Sequence, residues 1–307
     1  MSEAGVPVSR VLFVGLGVMG LPMARHVAAS GEFELVVHDV DAGRAAEFVA
    51  ADPVAAAGSA DVVVLMLPGS DVVERVLVGD GLLAAVRAGA VIVDMSSSRP
   101  ASTVALAERA AARGVGYVDA PVSGGQVKAV SGELSIMVGG AAEAVERVRP
   151  LLETMGTTIM PTGPVGSGHA VKALNNLLSA IGIAGAAEVL TTGAKFGLDP
   201  KVMLDVINAS TGRNQATQVK FEPYVLSGTF DAGFALRLMV KDLRTALEIA
   251  EDTATPTPVA HAVVEAAAAT LAANQDPGAD HTLLARWIAA NAGVDLHEAT
   301  QRAAKGA

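Results

Sequence analysis

Three stretches carry side chains of a type and spacing that could do chemistry. In the apolar run AVKALNNLL, Lys172, Asn175 and Asn176 are the only polar groups. Lys172 and Asn176 are four residues apart and share a face if the run is helical. A lysine amine that sheds its charge can take a proton from a substrate hydroxyl. Free lysine titrates near about 10.4, and burial or a neighbouring cation lowers that value toward the working range of a base. Read alone, Lys172 is better described as a lysine near a helix start whose ammonium reaches water, because charged lysines are mostly exposed. The second stretch is APVSGG, where Ser123, Gly124 and Gly125 expose backbone amides that could cradle a carboxylate. An ordinary Gly-Gly loop is an equal reading there. The third is VLFVGLGVMGLPMARHVAAS, in which Gly15, Gly17 and Gly20 have the GxGxxG spacing.

That last motif means something only in context. Val11–Val14 reads as a buried strand and Leu21–Ala29 as a helix closed by Gly31. Strand, glycine turn and helix in that order form the dinucleotide fingerprint. Gly15 permits the tight turn, Gly17 the close approach of backbone to a pyrophosphate, and Gly20 the close packing of helix on strand. The amides of Gly15, Leu16, Gly17, Val18, Met19 and Gly20 then face the cofactor phosphates at a helix start. Asp39 ends the next strand, Glu34–His38, 19 residues after Gly20. A carboxylate at that place accepts hydrogen bonds from the adenosine ribose and repels a 2′-phosphate, which favours NAD over NADP. Asp39 can equally be a turn or cap residue, and Asp41 competes for the cap of an expected helix over Ala42–Val49.

The elements that must position these groups follow in order. Strands are expected at Asp61–Leu67, Ala90–Asp94, Gly116–Asp119, Leu134–Gly140 and Thr157–Met160. Helices are expected at Asp71–Val78, Pro100–Arg113 and Ala141–Met155, the last broken near its middle by Pro150. Ala51–Ala60 is too short for a full strand plus helix. Alternating strands and helices indicate a doubly wound, mainly parallel α/β sheet. Ligands bind such sheets beyond the carboxyl ends of the strands, which places Leu67–Pro68, Ser96–Ser97 and Ala120–Gly125 on the cofactor side.

After Pro161 the character changes. His169–Phe196 is one long Ala-, Leu- and Ile-rich helix, and further helices are expected at Pro200–Asn208, Gln215–Tyr224, Leu238–Ala250, Val259–Ala273 and Leu283–Asn291. The fold class is therefore a doubly wound, mainly parallel α/β domain over residues 1–165 followed by an all-α domain over residues 166–307. Gly182, Ala184, Gly185, Ala186 and Ala187 give the long helix a narrow surface suited to packing against a second subunit. Lys241-Asp242, read alone, is a solvated charge pair.

Composition narrows the functional classes. The 307 residues are 51% apolar and only 3% aromatic, so Ala and Val fill a large core. A net charge of -10 argues against a nucleic-acid surface. The chain has no cysteine, which excludes disulfides, thiolate metal sites and cysteine nucleophiles. The six histidines are scattered without metal-ligand spacing, so no metal is expected. The first ten residues, MSEAGVPVSR, lack a signal pattern, and no run reaches the roughly 18 apolar residues of a membrane span. A cytoplasmic protein without a membrane or nucleic-acid partner is the default.

Taken in chain order, GLGVMGLPMA, VVVLMLPGS, VDMSS, DAPVSGG, LSIMVGG, GPVGSGHAVKALNN and LMVKDL resemble the β-hydroxyacid dehydrogenases over nearly the whole chain. The resemblance reverses the separate readings of Lys172 and Ser123. It implies a Rossmann domain, an all-helical domain and an active site in the cleft between them. Lys172 would be the catalytic acid/base, with Asn176 a substrate ligand beside it and Asn175 a weaker candidate. Ser123, Gly124 and Gly125 would hold the substrate carboxylate. Leu67, Pro68 and Ser97 would line the nicotinamide end of the cofactor groove, and Lys241 would reach the cofactor from the helical domain. Arg213, Asn214 and Phe234 are further candidates around the pocket. Gln215 stands where Trp is common in the family, and Ser97 where Thr is common. The implied reaction is NAD-linked interconversion of a small 3-hydroxy acid and its semialdehyde, of the 3-hydroxyisobutyrate dehydrogenase type, in a homodimer or homotetramer. Tartronate semialdehyde reductase is the nearest alternative. An imine reductase would lack the Lys, and a 6-phosphogluconate-type enzyme would need a basic phosphate pocket. A non-catalytic dinucleotide-binding module would have no use for Lys172 and Asn176.

Overall fold

The computed structural model describes residues 8–306, so most of the N-terminal stretch read for a signal pattern lies outside the described residues. Contacts divide the chain into two compact units, one ending at Lys172 and one beginning at Ala173.

The first unit is built on an eight-stranded sheet in the order β2-β1-β3-β4-β5-β7-β6, with β8 also paired to β7. The strands are β1 Arg10–Val14, β2 Glu34–His38, β3 Val62–Leu65, β4 Val91–Asp94, β5 Gly116–Asp119, β6 Val122–Ser123, β7 Leu134–Gly139 and β8 Gly156–Gly163. The first five are parallel; β7 runs antiparallel to β5 and β6. The continuous apolar runs follow from burial on both faces. Alternate residues go to opposite cores: Val11, Phe13, Val62, Val64, Val91 and Val93 to one, and Leu12, Val14, Val63, Leu65 and Ile92 to the other.

The helices are α1 Gly20–Ser30, α2 Pro53–Ala57, α3 Ser70–Glu74, α4 Leu82–Ala85, α5 Pro100–Ala111, α6 Gly125–Ser131 and α7 Ala142–Glu153. Four expectations need correction. The helix expected over Ala42–Val49 is only a 3-10 turn, Ala42–Ala45. Asp41 caps that turn through the Gly43 amide (3.0 Å), and the chain is then drawn onto the free edge of β2. There the Val37 amide donates to Val49 O and the Ala51 amide to Val37 O. A single bridge, Val37 to Ala50, is what remains of a further strand. Second, Gly124-Gly125 is more than a loop, since Gly125 opens α6. Third, α7 runs unbroken through Pro150. Pro150 is exposed, so the carbonyl left without a donor four residues back can turn to water. Fourth, the helix expected to run Asp71–Val78 narrows to α3 followed by a wider π-type turn, Arg75–Gly79.

Helix α8, Ser167–Phe196, runs through the boundary between the units. The second unit continues with α9 Pro200–Asn208, α10 Gln215–Val219, α11 Leu236–Asp252, α12 Pro258–Ala272, α13 Leu283–Asn291 and α14 Leu296–Gly306. The expected helix to Tyr224 stops at Val219 and passes into a π-type turn, Phe221–Leu226, which contains Pro223. Helix α14 is an addition to the elements read from the sequence. Ala173, Leu177, Ala180, Ile183, Ala187 and Leu190 of α8 form the spine of this unit's core, packed with Phe221, Met239 and Leu243. Contrary to the sequence reading, α8 does have the length and mean hydropathy of a membrane span, but half of that window is buried inside the protein. Core packing accounts for its apolar character.

Candidate active site

The loops that leave β1, β3, β4 and β5 all start from carboxyl ends of parallel strands, so they share one edge of the sheet. The glycine loop there has no slack. A methyl group on Gly20 would lie 3.0 Å from the Gly15 carbonyl carbon and closer still to its oxygen. One on Gly15 would press in the same way on the Met66 carbonyl. Gly15 also has φ +100°, and its amide donates to His38 O (2.8 Å). At Gly17 the nearest atom to such a methyl is Nη1 of Arg44, 4.0 Å away, so that side of the loop is open. Met19 supplies no side-chain cap to α1. The Leu21 and Met23 amides already donate to Gly17 O and Met19 O and Pro22 has no N–H, so a phosphate would meet the amides of the loop that leads into the helix. Val18 is exposed and Leu16 buried. This cradle fits a dinucleotide pyrophosphate.

Asp39 is half-buried. Its Oδ2 accepts from the Leu16 amide (2.7 Å) and its Oδ1 from the Asp41 amide (2.8 Å). The Leu16 amide is therefore turned to Asp39, and the carboxylate keeps two of its roughly four acceptor positions for other donors. Asp41 does take the cap role, as above.

At the ends of β3 and β4 the three consecutive serines divide their work. Ser96 Oγ accepts from the Leu67 amide (3.0 Å), and Ser98 Oγ donates to Asp94 Oδ2 (3.0 Å). Ser97, between them, is half-buried, as is Leu67, while Pro68 is exposed. Ser123 closes β6, and Gly124 and Gly125 follow with φ +126° and +65°. Only glycine takes both conformations readily. A methyl on Gly124 would also collide with the Lys128 stem, 2.5–2.9 Å away.

A buried polar cluster lies beneath these loops. Asp94 and Asp119 are register partners at the ends of β4 and β5 and are both 0% exposed. Asp94 accepts from the Ser96 amide, the Ser98 hydroxyl and, at 3.4 Å, the Tyr117 hydroxyl. Asp119 accepts from the Gly166 amide (2.7 Å) and the His169 amide (2.9 Å). Burial pushes the Asp119 carboxyl up from its ordinary range, against the pull of His169 and the two amides. Burial and the neighbouring Asp94 and Asp119 hold the Tyr117 hydroxyl well above its usual value. Sequence reading missed this cluster, although an acid closing each of two short apolar strands, VIVD and GYVD, was its signal.

Lys172 is half-buried on α8. One turn on, Asn176 donates its Nδ2 to Asp242 Oδ2 at 2.6 Å. Asn175 is exposed, and its Nδ2 lies 3.4 Å from Asn176 Oδ1. Asp242 is 3% exposed and paired with Lys241 at 3.2 Å, so the charge pair expected to be solvated has a buried acid and a half-buried lysine. Asn214 caps α10, its Oδ1 accepting from the Ala216 (2.8 Å) and Thr217 (3.1 Å) amides. That occupies its carbonyl oxygen with structural work. Arg213, just before it, is exposed. The Phe234 ring stands edge-on to His281, with centroids 5.5 Å apart, and its amide donates to Asp280. Asp280 also holds the Gly233 and Thr282 amides and was not singled out from sequence.

Residues 10–163 match the family model of the NAD binding domain of 6-phosphogluconate dehydrogenase. Residues 166–288 match the model described as NAD-binding of NADP-dependent 3-hydroxyisobutyrate dehydrogenase. Over 257 residues the chain is 42% identical to 2-(hydroxymethyl)glutarate dehydrogenase of Eubacterium barkeri, covering 81% of this chain and 85% of that one. The chain belongs to the β-hydroxyacid dehydrogenase family. This dehydrogenase is also 40% identical over 266 residues to NAD-dependent L-serine dehydrogenase of Pseudomonas aeruginosa, covering 81% and 88% of the two chains. Among solved structures it is similar to the 3-hydroxyisobutyrate dehydrogenase of Mycobacterium tuberculosis with L-serine. That match has a TM-score of 0.84 and 30% identity, and covers 91% of this chain and 98% of that one. As a member of the family it is an oxidoreductase that uses NAD and acts on a hydroxy acid.

Proposed function

We propose that the protein interconverts a small 3-hydroxy acid bearing a primary alcohol with its semialdehyde, and that Lys172 takes and returns the proton. The observation that carries this reading is the pair on α8. Asn176 stands one turn beyond Lys172, its Nδ2 committed to buried Asp242. The orientation of that amide is thereby set; Oδ1 takes a long bond from Asn175 Nδ2 and keeps a second acceptor position for a lysine or substrate N–H or O–H. The glycine loop and Asp39 would hold NAD, which would supply the hydride acceptor for the carbinol carbon. Neutral Lys172 removes the hydroxyl proton in oxidation, and its ammonium donates to the aldehyde oxygen in reduction. Asn176 orients the amine and the hydroxyl, with Asn175 beside it. Amides of Ser123, Gly124 and Gly125 hold the substrate carboxylate. Leu67, Pro68 and Ser97 would line the cofactor's nicotinamide half, and Phe234 and Lys241 are further proposed cofactor contacts. Arg213, with Asn214 behind it, would meet a second anionic group on the substrate. Functionally, residues 1–165 form the dinucleotide domain and residues 166–307 the helical domain.

The substrates named for the relatives narrow the class. 2-(Hydroxymethyl)glutarate, L-serine and 3-hydroxyisobutyrate each carry a carboxylate and a CH₂OH group on one carbon. The proposed substrate shares that core. The test is an NAD-linked assay with these three acids, glycerate, 3-hydroxypropionate, a 2-hydroxy acid and a cyclic imine. NADH formation with one or more of the 3-hydroxy acids is expected. Turnover confined to the 2-hydroxy acid or the imine overturns the reading, as does tight NADH binding with no turnover at all.

A homo-oligomer, dimer or tetramer, is part of the same proposal. Ala184, Ala186 and Ala187, read from sequence as part of a surface for a second subunit, are buried in this unit's own core. The exposed side of α8 is an apolar stripe of Leu178 (70% exposed), Gly185, Val189 and Phe196 (83% exposed), the kind of surface a second subunit covers. A monomer by light scattering would refute it. A cytoplasmic location, where a shared NAD pool supplies the reaction, is proposed as well and is tested by cell fractionation.

A further inference from the structure

We propose that Asp119 and His169 act as positioning residues for the proton transfer: together they latch the first turn of α8 to the ends of β4 and β5, and so fix where the Lys172 amine stands. The proposal rests on the reading of Lys172 as the acid/base. Helix α8 begins at Ser167, and its free amides would ordinarily be capped by a nearby side chain in sequence. Here Asp119 reaches them instead from β5, with Oδ1 on Gly166 N and Oδ2 on His169 N. The His169 ring makes the second attachment. Its Nε2 lies 3.0 Å from Ser96 O, which only accepts, so Nε2 carries a proton and donates. Its Nδ1 lies 2.8 Å from Thr103 Oγ1 on α5. The two ring nitrogens are each 3.9 Å from a carboxylate oxygen, of Asp94 and Asp119 respectively. Adjacent carboxylates on neighbouring strands repel one another, and the imidazole stands beside both, as does the Tyr117 hydroxyl.

The fit around this latch leaves no play. A methyl on Gly168 would lie 2.6 Å from Met137 O and 2.9 Å from Asp119 Oδ2. One on Gly139 would lie 2.5 Å from Asp119 Oδ1 and 2.8 Å from Ser167 Oγ. Lys172 is three residues beyond His169, a rise of about 4.5 Å along the same helix. A tilt or slip of the first turn is therefore delivered to the amine almost undiminished. Apolar side chains could pin a helix end without the cost of burying two acids and a histidine. What hydrogen bonds add is direction, which a proton donor needs and a core contact does not supply.

The test compares His169→Ala, His169→Gln, Thr103→Val and Lys172→Ala in the full-length enzyme. Steady-state kinetics, NADH affinity by fluorescence titration and thermal melting are measured for each. Misplacing a reacting group by about 1 Å costs on the order of 10²-fold. His169→Ala is expected to lose about that factor in kcat, with KM and NADH affinity within about threefold of wild type. His169→Gln, whose amide can donate to Ser96 O and accept from Thr103, is expected to recover much of the loss. Thr103→Val, a milder change that keeps the fold, should fall between. Unchanged kcat in His169→Ala or Thr103→Val, while Lys172→Ala is inactive, overturns the latch and leaves the acid/base reading standing. A Gln variant no better than Ala, with melting temperature and kcat falling in parallel, also overturns the latch. Full turnover in Lys172→Ala overturns both.

Discussion

Replacing Gly20 by Ala adds a single methyl group, and the structure says where it must go. It would stand 3.0 Å from the Gly15 carbonyl carbon, closer to the oxygen, and 3.4 Å from Phe13 Cε1. Carbon atoms pack comfortably at about 3.5–4.0 Å, so the Phe13 contact is tolerable and the Gly15 contact is not. The oxygen sets the larger demand: the Gly15 carbonyl must retreat by about 1 Å or more to reach ordinary contact, yet Gly15 is itself backed against Met66 and tied to His38 O. Overpacking of this kind costs about 1–3 kcal/mol, and the displaced atoms belong to the phosphate loop. If that cost falls on the binding-competent conformation, NADH affinity drops by about 5- to 150-fold at about 1.4 kcal/mol per decade. Gly31→Ala is the control at the other end of α1. It meets no atom within 4 Å but has φ +68°, so it should lose roughly 1 kcal/mol of stability and leave NADH affinity unchanged. Fluorescence titration with NADH and urea melts read both quantities. Wild-type affinity in Gly20→Ala, or equal weakening in Gly31→Ala, refutes the claim that the glycine spacing serves the cofactor.

Asp39→Ser removes the carboxylate that faces the loop and should relax the preference for NAD over NADP by roughly tenfold or more; unchanged kcat/KM ratios for the two cofactors would count against the ribose role. Asp61 ties the start of β1 to Arg87. Burial alone would raise its carboxyl, but the Arg10 and Ser9 amides, the Ser9 hydroxyl and Arg87 outweigh burial and hold it at about 2, below its ordinary 3.8. With the folded value lowered, the stabilisation is present above about pH 4 and is lost as pH falls toward about 2. Urea melts across that window should show the gap between wild type and Asp61→Asn shrinking by on the order of 1–2 kcal/mol. A gap that stays constant with pH refutes the assignment.

Much of the first unit was legible because its strands are short, wholly apolar and punctuated by Gly, Pro and Asp. The glycine loop, β1 to β5 and the limits of α9 and α13 follow from local pattern alone. Local pattern failed where distant pairing decided the outcome. Val49–Ala51 went to the edge of β2 instead of into a helix, and Gly125 opened α6 because a glycine pair looks the same before a helix as in a loop. The site shows the same division. Lys172, Asn176 and the Ser123–Gly125 turn stood out by residue type. Asp119, His169 and Asp242 did not, since their partners lie 47 to 73 residues away in sequence. Lys241-Asp242 read as solvated because nothing in LMVKDL reveals that Asp242 faces Asn176.

The central claim is that one amine on α8 moves the proton of a hydride transfer. Turnover of Lys172→Ala, measured beside its NADH dissociation constant on the best substrate from the acid panel, tests it most directly. A loss of on the order of 10²–10⁴ in kcat is expected, with NADH bound as tightly as by wild type. Wild-type kcat with intact NADH binding would contradict it.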